Sequence, residues 1–502
     1  MGWASLKNIR TIEEINEKIS KGTINVVTAE EMTEIVKSNG IEVAAKDVDI
    51  VTTGTFGAMC SSGLFLNFGH ADPPIKMEHV NLNGVEAYHG NAAVDVYLGV
   101  TKMHPERNFD YGGGHVIEDL VAGKEIELDA TAYGTDCYPR KSVKTTFTLQ
   151  DVNQAILCNP RNAYQKYNAA TNGRDDVIYT YMGKLLPNYS NVSYSGAGEL
   201  NPLTNDPDYE TIGVGTRIFL GGGIGYVTGH GTQHDPTNKF GTIMVQGDLK
   251  QMDSKFLRGA TYTNYGTSLY VGLGIPIPIL NEGLAKKTSI SDEEIKTNLL
   301  DYGIPRRGRP SLKETDYAEL KSGKLKLKER EIPVQPLSSL KIAREVASTL
   351  KKWIDDGKFL IASPTQRLSV TEVCRSMKIT KEAIFAQNVM IPTVTCNIDE
   401  DTETVARRII EKNVNHVVVV DDGGILKGIV TSFDITKAVA KKEEKLSNVV
   451  TRQVVTTSPE EPIDSCVRKL KKHDISALPV VDSEKKILGI VTSEQISRLL
   501  GE

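Results

Sequence analysis

The chain has 502 residues, which at roughly 100–200 residues per domain suggests two to four domains. Its 59 basic and 64 acidic side chains give a net charge of −5, a balance that excludes a globally basic nucleic-acid-binding protein. No apolar run approaches the ~20 residues that cross a bilayer. The polar N-terminal stretch has neither an apolar core nor a small-residue cleavage site, so we expect no signal peptide. These features predict a cytoplasmic protein with neither a nucleic-acid nor a membrane partner.

Strand and helix signals alternate over residues 24–300, which is typical of an α/β domain. The segment that begins at Gly22 predicts a strand, a helix cap at Thr28 and then a helix. Residues 338–356 predict a helix with one apolar stripe, with Ser338 as its cap, and residues 358–368 predict a final core strand. We therefore expect a glycine-rich α/β domain over residues 1–368, followed by a linker over residues 369–388.

The glycine-rich run over residues 221–231 does not fit the spacing of a dinucleotide-binding loop, and no Gly-Lys pair is followed by Ser or Thr as a phosphate loop requires. His230 and His234 lie four residues apart, a spacing that holds zinc when both rings lie on one helix face. Gly229 and Gly231 flank the first histidine and disfavour a helix there. The run therefore predicts a polar loop that lines a cleft, and we expect no metal site.

The six cysteines are scattered along the chain without any Cys-x-x-Cys pair. This pattern excludes a disulfide scaffold and an iron–sulfur cluster held by this chain alone. They are Cys60, Cys137, Cys158, Cys374, Cys396 and Cys466.

Two of the cysteines are candidates for a reactive thiol. Cys60 follows an apolar strand and precedes a Ser-Ser-Gly run, where backbone N–H donors lower a thiol pKa. Cys137 is close in sequence to Arg140 and Lys141, and nearby cations also favour the thiolate. For either residue the alternative is a buried small apolar side chain, and Cys158 is expected at a buried helix end.

The C-terminal part of the chain contains an internal repeat. Segments that begin at Val394 and Val455 align without a gap at an offset of 61 residues, which pairs Thr431 with Thr492. Each copy predicts a short extended segment, an amphipathic helix, two strands joined by a polar turn, and a final helix. A single unit of this kind does not bury its sheet face, whereas two stacked units do.

This repeat resembles the CBS domain, and residues 389–502 resemble a CBS pair, with copies at about 389–446 and 449–502. The resemblance rests on Gly-Ile-Val-Thr-Ser-Phe-Asp over residues 428–434. It implies an adenosyl ligand near Thr431, Ser432 and Asp434, whose carboxylate accepts both hydroxyls of a ribose. Val394 and His416 are expected near the base. Gln495 stands in the second copy where Asp434 stands in the first, so a second ligand site there is in doubt.

The chemistry of the expected CBS ligand follows from charge. The repeats lack the cluster of cations that a triphosphate needs, with only Lys427 and His416 nearby in the first copy. We therefore expect S-adenosylmethionine or methylthioadenosine rather than ATP. A CBS pair that only dimerises and binds nothing is the alternative, and a homodimer through this pair is expected.

Four long segments of the N-terminal domain resemble the homocysteine-forming L-aspartate semialdehyde sulfurtransferase family of methanogenic archaea. They are GTFGAMCSSGLFLNFGHADPPIKM, NAAVDVYLG, YGGGHVIEDLVAGKEIELDATAYGTDCYPRK and GGGIGYVTGHGTQHDP. The resemblance implies that sulfur replaces the aldehyde oxygen of the substrate to give L-homocysteine. It also implies two functional cysteines, with Cys137 as the persulfide carrier and Cys60 as the second, resolving thiol.

The chemistry of this reaction fits the residues. A persulfide is an acidic sulfur nucleophile suited to an electrophilic aldehyde carbon. Conversion of an aldehyde and sulfide into a thiol requires two further electrons, and the sequence has no flavin or nicotinamide motif. We therefore expect no tightly bound cofactor and an external reductant. The resemblance implies a small ferredoxin-like partner with iron–sulfur clusters.

Two other functions stay open from the sequence. One is a non-enzymatic sensor whose glycine-rich domain binds a metabolite. The other is a cleft hydro-lyase in which His115, His230 and His234 transfer protons. Arg140 is the candidate for binding a substrate carboxylate because a guanidinium binds it bidentately, and His115 is a second candidate for substrate contact.

Overall fold

The computed structural model describes residues 9–327, 329–377 and 384–500. The chain forms two compact units, the first from Met1–Gly303 and Pro310–Arg375 and the second from Ile304–Arg309 and Ser376–Glu502. Each unit has hydrophobic clusters of its own. The structure confirms the α/β fold class, with a C-terminal pair of repeats.

The first unit contains these helices in chain order: α1 (Ile12–Lys21), α2 (Ala29–Asn39), α3 (Ile41–Asp47), α4 (Gly113–Val121), α5 (Pro202–Asn205), α6 (Glu282–Lys287), α7 (Tyr317–Lys321) and α8 (Leu340–Asp355). Its strands are β1 (Val26–Thr28), β2 (Ile50–Thr52), β3 (Thr55–Ala58), β4 (Gly63–Asn67), β5 (His79–Leu82), β6 (Val85–Ala87), β7 (Asp95–Gly99), β8 (Met103–His104), β9 (Asn108–Gly112), β10 (Ile126–Thr131), β11 (Ser142–Phe147), β12 (Gln154–Asn162), β13 (Ala169–Thr171), β14 (Ile178–Thr180), β15 (Gly183–Leu185), β16 (Val192–Tyr194), β17 (Gly213–Val214), β18 (Arg217–Leu220), β19 (Gly223–His230), β20 (Ile243–Asp248), β21 (Leu257–Tyr262), β22 (Gly266–Gly274), β23 (Pro276–Pro278), β24 (Lys296–Asp301), β25 (Ser311–Asp316), β26 (Lys324–Leu327), β27 (Arg330–Pro336) and β28 (Gln366–Arg367).

Local sequence signals explain where the main helices begin. Thr28 caps α2, as predicted, and its hydroxyl and the Glu31 carboxylate satisfy each other's backbone N–H groups. The helix α8 begins after Ser339, whose hydroxyl accepts the N–H of Ile342, so the cap lies one residue beyond the predicted Ser338. Its predicted apolar stripe is buried, including Val346 and Leu350.

The predicted core strand over residues 358–368 is wrong except for the short β28. Phe359 and Ile361 are buried, but Ile361 bonds through its N–H and its carbonyl to the side chain of Asn16. Because a side chain satisfies the backbone there, burial does not require a strand ladder.

Two antiparallel sheets enclose the largest hydrophobic cluster of the first unit, together with α4. The first sheet has nine strands in the order β21-β22-β18-β19-β20-β12-β4-β7, with β3 paired to β22. The second has four strands in the order β11-β10-β5-β6. Both sheets rest on pairings between distant parts of the chain, such as β4 with β12 and β3 with β22.

A three-stranded and a six-stranded sheet also belong to the first unit, with three two-stranded ribbons. The order β1-β2-β23 forms a mixed sheet whose apolar residues pack with α2, α3 and α8. A six-stranded mixed sheet has the order β25-β24-β13-β16-β27-β26 and packs with α7. The start of α8 contacts the nine-stranded sheet, because the N–H of Ser339 donates to the carbonyl of Phe56 in β3 and the hydroxyl of Tyr270 in β22 donates to the carbonyl of Leu337.

The second unit contains two similar repeats. The first consists of β29 (Thr395–Asn397), α9 (Thr402–Lys412), β30 (His416–Val420), β31 (Leu426–Thr431) and α10 (Ser432–Lys441). The second consists of α11 (Ile463–His473), β32 (Ala477–Val481), β33 (Ile487–Thr492) and α12 (Ser493–Leu500), with Thr457 bridged to Val480 where β29 would align. Val418, Ala477 and Ile490 form a cluster that joins the two repeats. The predicted order of elements is confirmed.

None of the helices in the described ranges is both long enough and apolar enough to cross a membrane.

Candidate active site

A cavity of about 360 Å³ lies in the first unit, where strand ends and turns of several sheets meet. Cys60 and Ser61 reach it from the turn between β3 and β4, and Arg161 reaches it from the end of β12. The loop after β16 supplies Ser195 and Gly196, and Ser338 precedes α8. The sequence-predicted Cys60 therefore lines a cavity, where its side chain is partly buried.

The sulfur of Cys60 is in a setting that favours the protonated thiol. Burial raises the thiol pKa above its ordinary value. The Ser268 hydroxyl, which donates to Sγ over 3.1 Å, and the charge of Arg161 both oppose this shift without overcoming it. The predicted lowering of the Cys60 pKa is therefore wrong in direction, because the strand end is buried under neighbouring aromatic side chains.

Tyrosine side chains form much of the cavity wall near Cys60. Burial raises the phenol pKa of Tyr164, Tyr262 and Tyr265, so these hydroxyls stay neutral at neutral pH. The Tyr262 hydroxyl contacts that of Tyr270 over 3.1 Å, and Tyr270 donates to the carbonyl of Leu337 over 2.8 Å. The hydroxyl protons of this pair are therefore directed to Tyr270 and to Leu337, and the wall consists of neutral phenol groups.

On the opposite wall of the cavity, Ser338 holds the loop after β16 in place. The Ser338 hydroxyl accepts the backbone N–H of Gly196 over 3.0 Å. Gly57 leaves room for this contact, since a Cβ there would lie 2.9 Å from Ser338 Oγ. The Tyr317 hydroxyl donates to the carbonyl of Ser195 over 2.6 Å and holds the same loop.

The structure places Cys137 apart from the cavity. It is an exposed residue in the loop that joins β10 to β11. The neighbouring Tyr138 stacks on His70, three residues after the end of β4, whereas Cys60 lies just before the start of β4. A five-residue strand spans about 13 Å at ~3.3 Å per residue, so the two thiols flank opposite ends of β4. Both are free thiols in this conformation.

The two other predicted substrate-contact residues also lie outside the residues that line the cavity. The Arg140 guanidinium donates to the backbone carbonyls of Asp72 and Pro73 over 2.6 and 2.9 Å, which ties the Cys137 loop to its neighbour. His115 lies on α4, stacks on Tyr111 and has a pKa lowered by burial. Neither side chain is positioned at Cys60.

His230 and His234 lie close together, with ring centroids 5.4 Å apart. His234 is buried, its Nδ1 accepts the N–H of Thr242 over 3.0 Å, and its Nε2 contacts the carbonyl of Ser369 over 2.8 Å. Both ring nitrogens are thus engaged with the backbone, and His230 is exposed. Among the residues that the structure describes, no cluster of three metal-ligating side chains occurs.

The five residues predicted to bind the CBS ligand lie at one end of the first repeat. His416 begins β30 and pairs with Thr431, which ends β31, and Ser432 and Asp434 open α10. Val394 accepts the N–H of Val418 beside them. The His416 Nε2 contacts Ser476 Oγ of the second repeat over 2.8 Å.

The carboxylate of Asp434 caps α10. Its Oδ2 accepts the N–H and the hydroxyl of Thr431 over 3.0 and 2.7 Å. Gln495 of the second repeat does the same through Oε1, which accepts from the N–H and the hydroxyl of Thr492. The exchange of carboxylate for amide therefore preserves the helix cap and removes only the negative charge.

Sequence reasoning missed Arg161 and Asn201, which both line the cavity. The predicted helix end at Cys158 is wrong, because residues 154–162 form the strand β12 with alternating burial. With a helix expected there, the sequence did not indicate that Arg161 ends a strand. The signal in the sequence is the short apolar run over residues 155–158, which ends at Asn159-Pro160 and is consistent with a buried strand. Asn201 lies between strands with no local signal.

Comparisons with known proteins agree with this architecture. A sequence model of the family described as homocysteine biosynthesis enzyme, sulfur-incorporation, matches residues 24–361. The CBS domain matches residues 386–441 and 446–502. The chain belongs to this family of sulfur-incorporating homocysteine biosynthesis enzymes, with a CBS pair at its C-terminal end.

Two curated relatives are similar over almost their whole length. Both carry the name L-aspartate semialdehyde sulfurtransferase. The one from Methanosarcina acetivorans is 52% identical over 98% of this chain and 99% of its own. The one from Methanocaldococcus jannaschii is 53% identical over the same shares. The prediction of an enzyme of the L-aspartate semialdehyde sulfurtransferase class is confirmed, and neither a non-enzymatic sensor nor a hydro-lyase agrees with it.

One solved structure resembles the second unit. It is the CBS domain pair of protein MJ0100 in complex with 5′-methylthioadenosine and S-adenosyl-L-methionine. That pair is 38% identical to this chain, over 24% of this chain and 97% of that one, with a TM-score of 0.23.

Proposed function

We propose that the chain converts L-aspartate semialdehyde to L-homocysteine, with Cys137 as the persulfide carrier and Cys60 as the second thiol. The observation that carries this proposal is the position of Cys60 in a cavity of about 360 Å³ beside a single cationic side chain. A cavity of this volume suits a small amino acid.

The terminal sulfur of the Cys137 persulfide attacks the aldehyde carbon, a C–S bond forms, and the oxygen takes a proton. The Cys60 thiolate then attacks Sγ of Cys137, so the S–S bond of the adduct breaks, a Cys60–Cys137 disulfide forms, and the substrate leaves as a hydroxythiol. Loss of water gives a thioaldehyde, and two electrons and two protons reduce it to the thiol.

The disulfide is reopened by sulfide, which bonds to Sγ of Cys137 and releases Cys60 as the thiolate. Overall, one aldehyde, one sulfide, two electrons and two protons give one thiol and one water. We assign the two-electron donor to a small iron–sulfur protein of the ferredoxin kind.

The proposal requires that the Cys137 loop approach Cys60 during the cycle. A disulfide forms only when the two Cα atoms come within about 7 Å, and the structure holds the thiols at opposite ends of β4. The exposed position of Cys137 suits loading with sulfur from solvent, and the enclosed position of Cys60 suits the reaction with the aldehyde.

We also assign an adenosyl ligand to the first CBS repeat. The start of α10 presents the Asp434 carboxylate beside Thr431 and Ser432, a setting that accepts the two hydroxyls of a ribose. Such a ligand would make the second unit a sensor of sulfur-amino-acid supply.

The decisive experiment is mass spectrometry of the full chain after treatment with sulfide under mild oxidant, with each sulfur adduct mapped to its peptide. The adduct is expected on Cys137, and Cys137→Ser is expected to abolish L-homocysteine formation. Cys158→Ser serves as the control, because Cys158 is a free thiol of the same unit that has no part in the proposed reaction. Full activity of Cys137→Ser would overturn the assignment.

A further inference from the structure

The cavity at Cys60 holds one ionised side chain with no counter-charge. Arg161 is the only Asp, Glu, Lys or Arg among the residues that the structure shows lining it. Its Nε is buried and has no hydrogen-bond partner. The side chain as a whole is partly buried and interacts with the neutral phenol of Tyr164, so the guanidinium is available to an anion that enters the cavity.

A second polar atom in the same cavity is also unsatisfied. Asn201 is 7% exposed, and its Nδ2 donates to the carbonyl of Tyr164 over 2.5 Å and to Thr204 Oγ1 over 3.0 Å. These two contacts fix the orientation of the amide. The remaining atom, Oδ1, is buried and accepts no hydrogen bond, so it is an unsatisfied acceptor in the wall of the cavity.

We propose that Arg161 and Asn201 bind the amino-acid end of the substrate, Arg161 the α-carboxylate and Asn201 Oδ1 the α-ammonium. The inference rests on the proposed function and deepens it. A guanidinium binds a carboxylate through two parallel hydrogen bonds, and an amide oxygen accepts from an ammonium. With these groups held, the aldehyde at the other end of the short carbon chain faces the thiol of Cys60.

This assignment replaces Arg140 as the carboxylate anchor. Arg140 uses its guanidinium on the backbone carbonyls of Asp72 and Pro73 and lies outside the lining of the cavity. Arg161 also acts electrostatically on Cys60, so a role limited to the thiol is the rival explanation. A carboxylate anchor affects only ligands that carry a carboxylate, whereas a role limited to the thiol affects all ligands alike.

The experiment uses three non-reacting analogues and calorimetric titration of the full chain. L-Homoserine has both charged groups and an alcohol in place of the aldehyde. 4-Hydroxybutanoate lacks the ammonium, and 3-aminopropan-1-ol lacks the carboxylate. For Arg161→Gln we expect a loss of about tenfold or more in affinity for the two carboxylate-bearing analogues, with the affinity for 3-aminopropan-1-ol unchanged.

The proposed contact of Asn201 with the ligand ammonium is tested by comparing L-homoserine with 4-hydroxybutanoate. In Asn201→Ser we expect L-homoserine to lose its advantage over 4-hydroxybutanoate, while in Asn201→Asp that advantage grows because the acceptor gains a charge. Arg217→Gln is the matched control, since Arg217 also has a buried Nε without a partner but lies outside this cavity, and its affinities should equal those of the wild type.

Equal affinity of Arg161→Gln and wild type for L-homoserine overturns the anchor, as does an equal loss for all three analogues, which would mean a role limited to the thiol or the fold. L-Homocysteine formation, measured on the same wild-type preparation, tests the proposed function separately. If the chain binds L-homoserine through Arg161 but makes no L-homocysteine, the proposed function is contradicted. The proposed binding site is then still supported.

Discussion

The Cys60 thiol combines burial, which raises its pKa, with two opposing contacts from Ser268 and Arg161. Since only the thiolate is nucleophilic, the balance sets how fast Cys60 reacts. A ligand carboxylate on Arg161 would offset the positive charge near the thiol. Occupancy of the cavity would then favour the protonated form of the Cys60 thiol.

The residue-scale prediction concerns alkylation of Cys60. In Cys137→Ser, the rate of Cys60 modification by iodoacetamide should be slow at neutral pH and rise with pH through a midpoint above that of an ordinary cysteine. The sign follows because burial disfavours the charged form and so delays ionisation to higher pH. Peptide mass spectrometry at several pH values measures the rate.

The same profile in Arg161→Gln should be shifted further upward, because a cation that favours the thiolate has been removed. Protein unfolded in urea supplies the control, where all cysteines should titrate alike near the ordinary value. A Cys60 midpoint below that value in the folded chain would contradict the structural account.

Sequence motifs identified both candidate cysteines but not the groups around them. Cys60 and Cys137 lie in long distinctive segments, whereas Arg161 and Asn201 approach Cys60 only through β12 and the loop before α5. Such proximity depends on pairings between residues about 100 apart, such as Cys158 with Gly63, and no local pattern encodes them.

At the scale of elements, the strand β4 separates the two thiols. Its ends are fixed by ladders to β7 and β12, so β4 itself is not free to shorten the gap. The Cys137 loop is held by two hydrogen bonds from Arg140 and by the stacking of Tyr138 on His70. The loop, rather than the strand, is therefore the element that must move for the thiols to meet.

Breaking this tether gives the first element-scale prediction. Arg140→Ala should raise the exposure of the Cys137 loop to limited proteolysis and lower the rate of L-homocysteine formation, without lowering the affinity for L-homoserine. The reason is that Arg140 orients the carrier and does not touch the cavity. A selective loss of L-homoserine binding would instead restore Arg140 as the carboxylate anchor.

A second element-scale prediction concerns the packing of α8 on the strands. A Cβ at Gly54 would overlap the backbone carbonyl oxygen of Ala343 in α8. Because that oxygen belongs to the helix backbone, Gly54→Ala should force α8 away and destabilise the first unit by about 1–3 kcal/mol. Gly229→Ala is the control, since nothing lies within 4 Å of a Cβ there. Thermal unfolding that is equal for both variants would refute the close approach.

The helices were easier to predict than the sheets. The cap at Thr28 and the apolar stripe of α8 were visible in the sequence and are confirmed. The 61-residue repeat also fixed the order of elements in the second unit. The nine-stranded sheet was not predictable, because its register joins strands from β3 to β22 across the whole first unit. The apolar residues around Phe359 predict a strand, but the structure forms none at that residue.

At the scale of the whole molecule, the chain joins a sulfur-incorporating unit to a pair of repeats whose first copy alone has an acidic residue at the helix cap. The expected ligand of that copy has a ribose and few negative charges. Asp434 and Gln495 occupy equivalent places, and their caps have the same hydrogen bonds. Replacement of Asp434 by glutamine should therefore remove the negative charge and keep the hydrogen bonds of the helix cap.

The last prediction uses that equivalence on the full chain. Calorimetric titration with S-adenosylmethionine or methylthioadenosine should show one ligand per chain, and ATP should bind more weakly because the first copy offers few cations. Asp434→Gln should abolish the binding with no change in thermal stability, since Gln495 shows that glutamine caps the helix equally well. Gln495→Asp should raise the stoichiometry toward two, because the second copy then gains the carboxylate that a ribose diol requires. Retained binding in Asp434→Gln would remove the site from α10, and tighter binding of ATP than of either thioether nucleotide would contradict the charge argument.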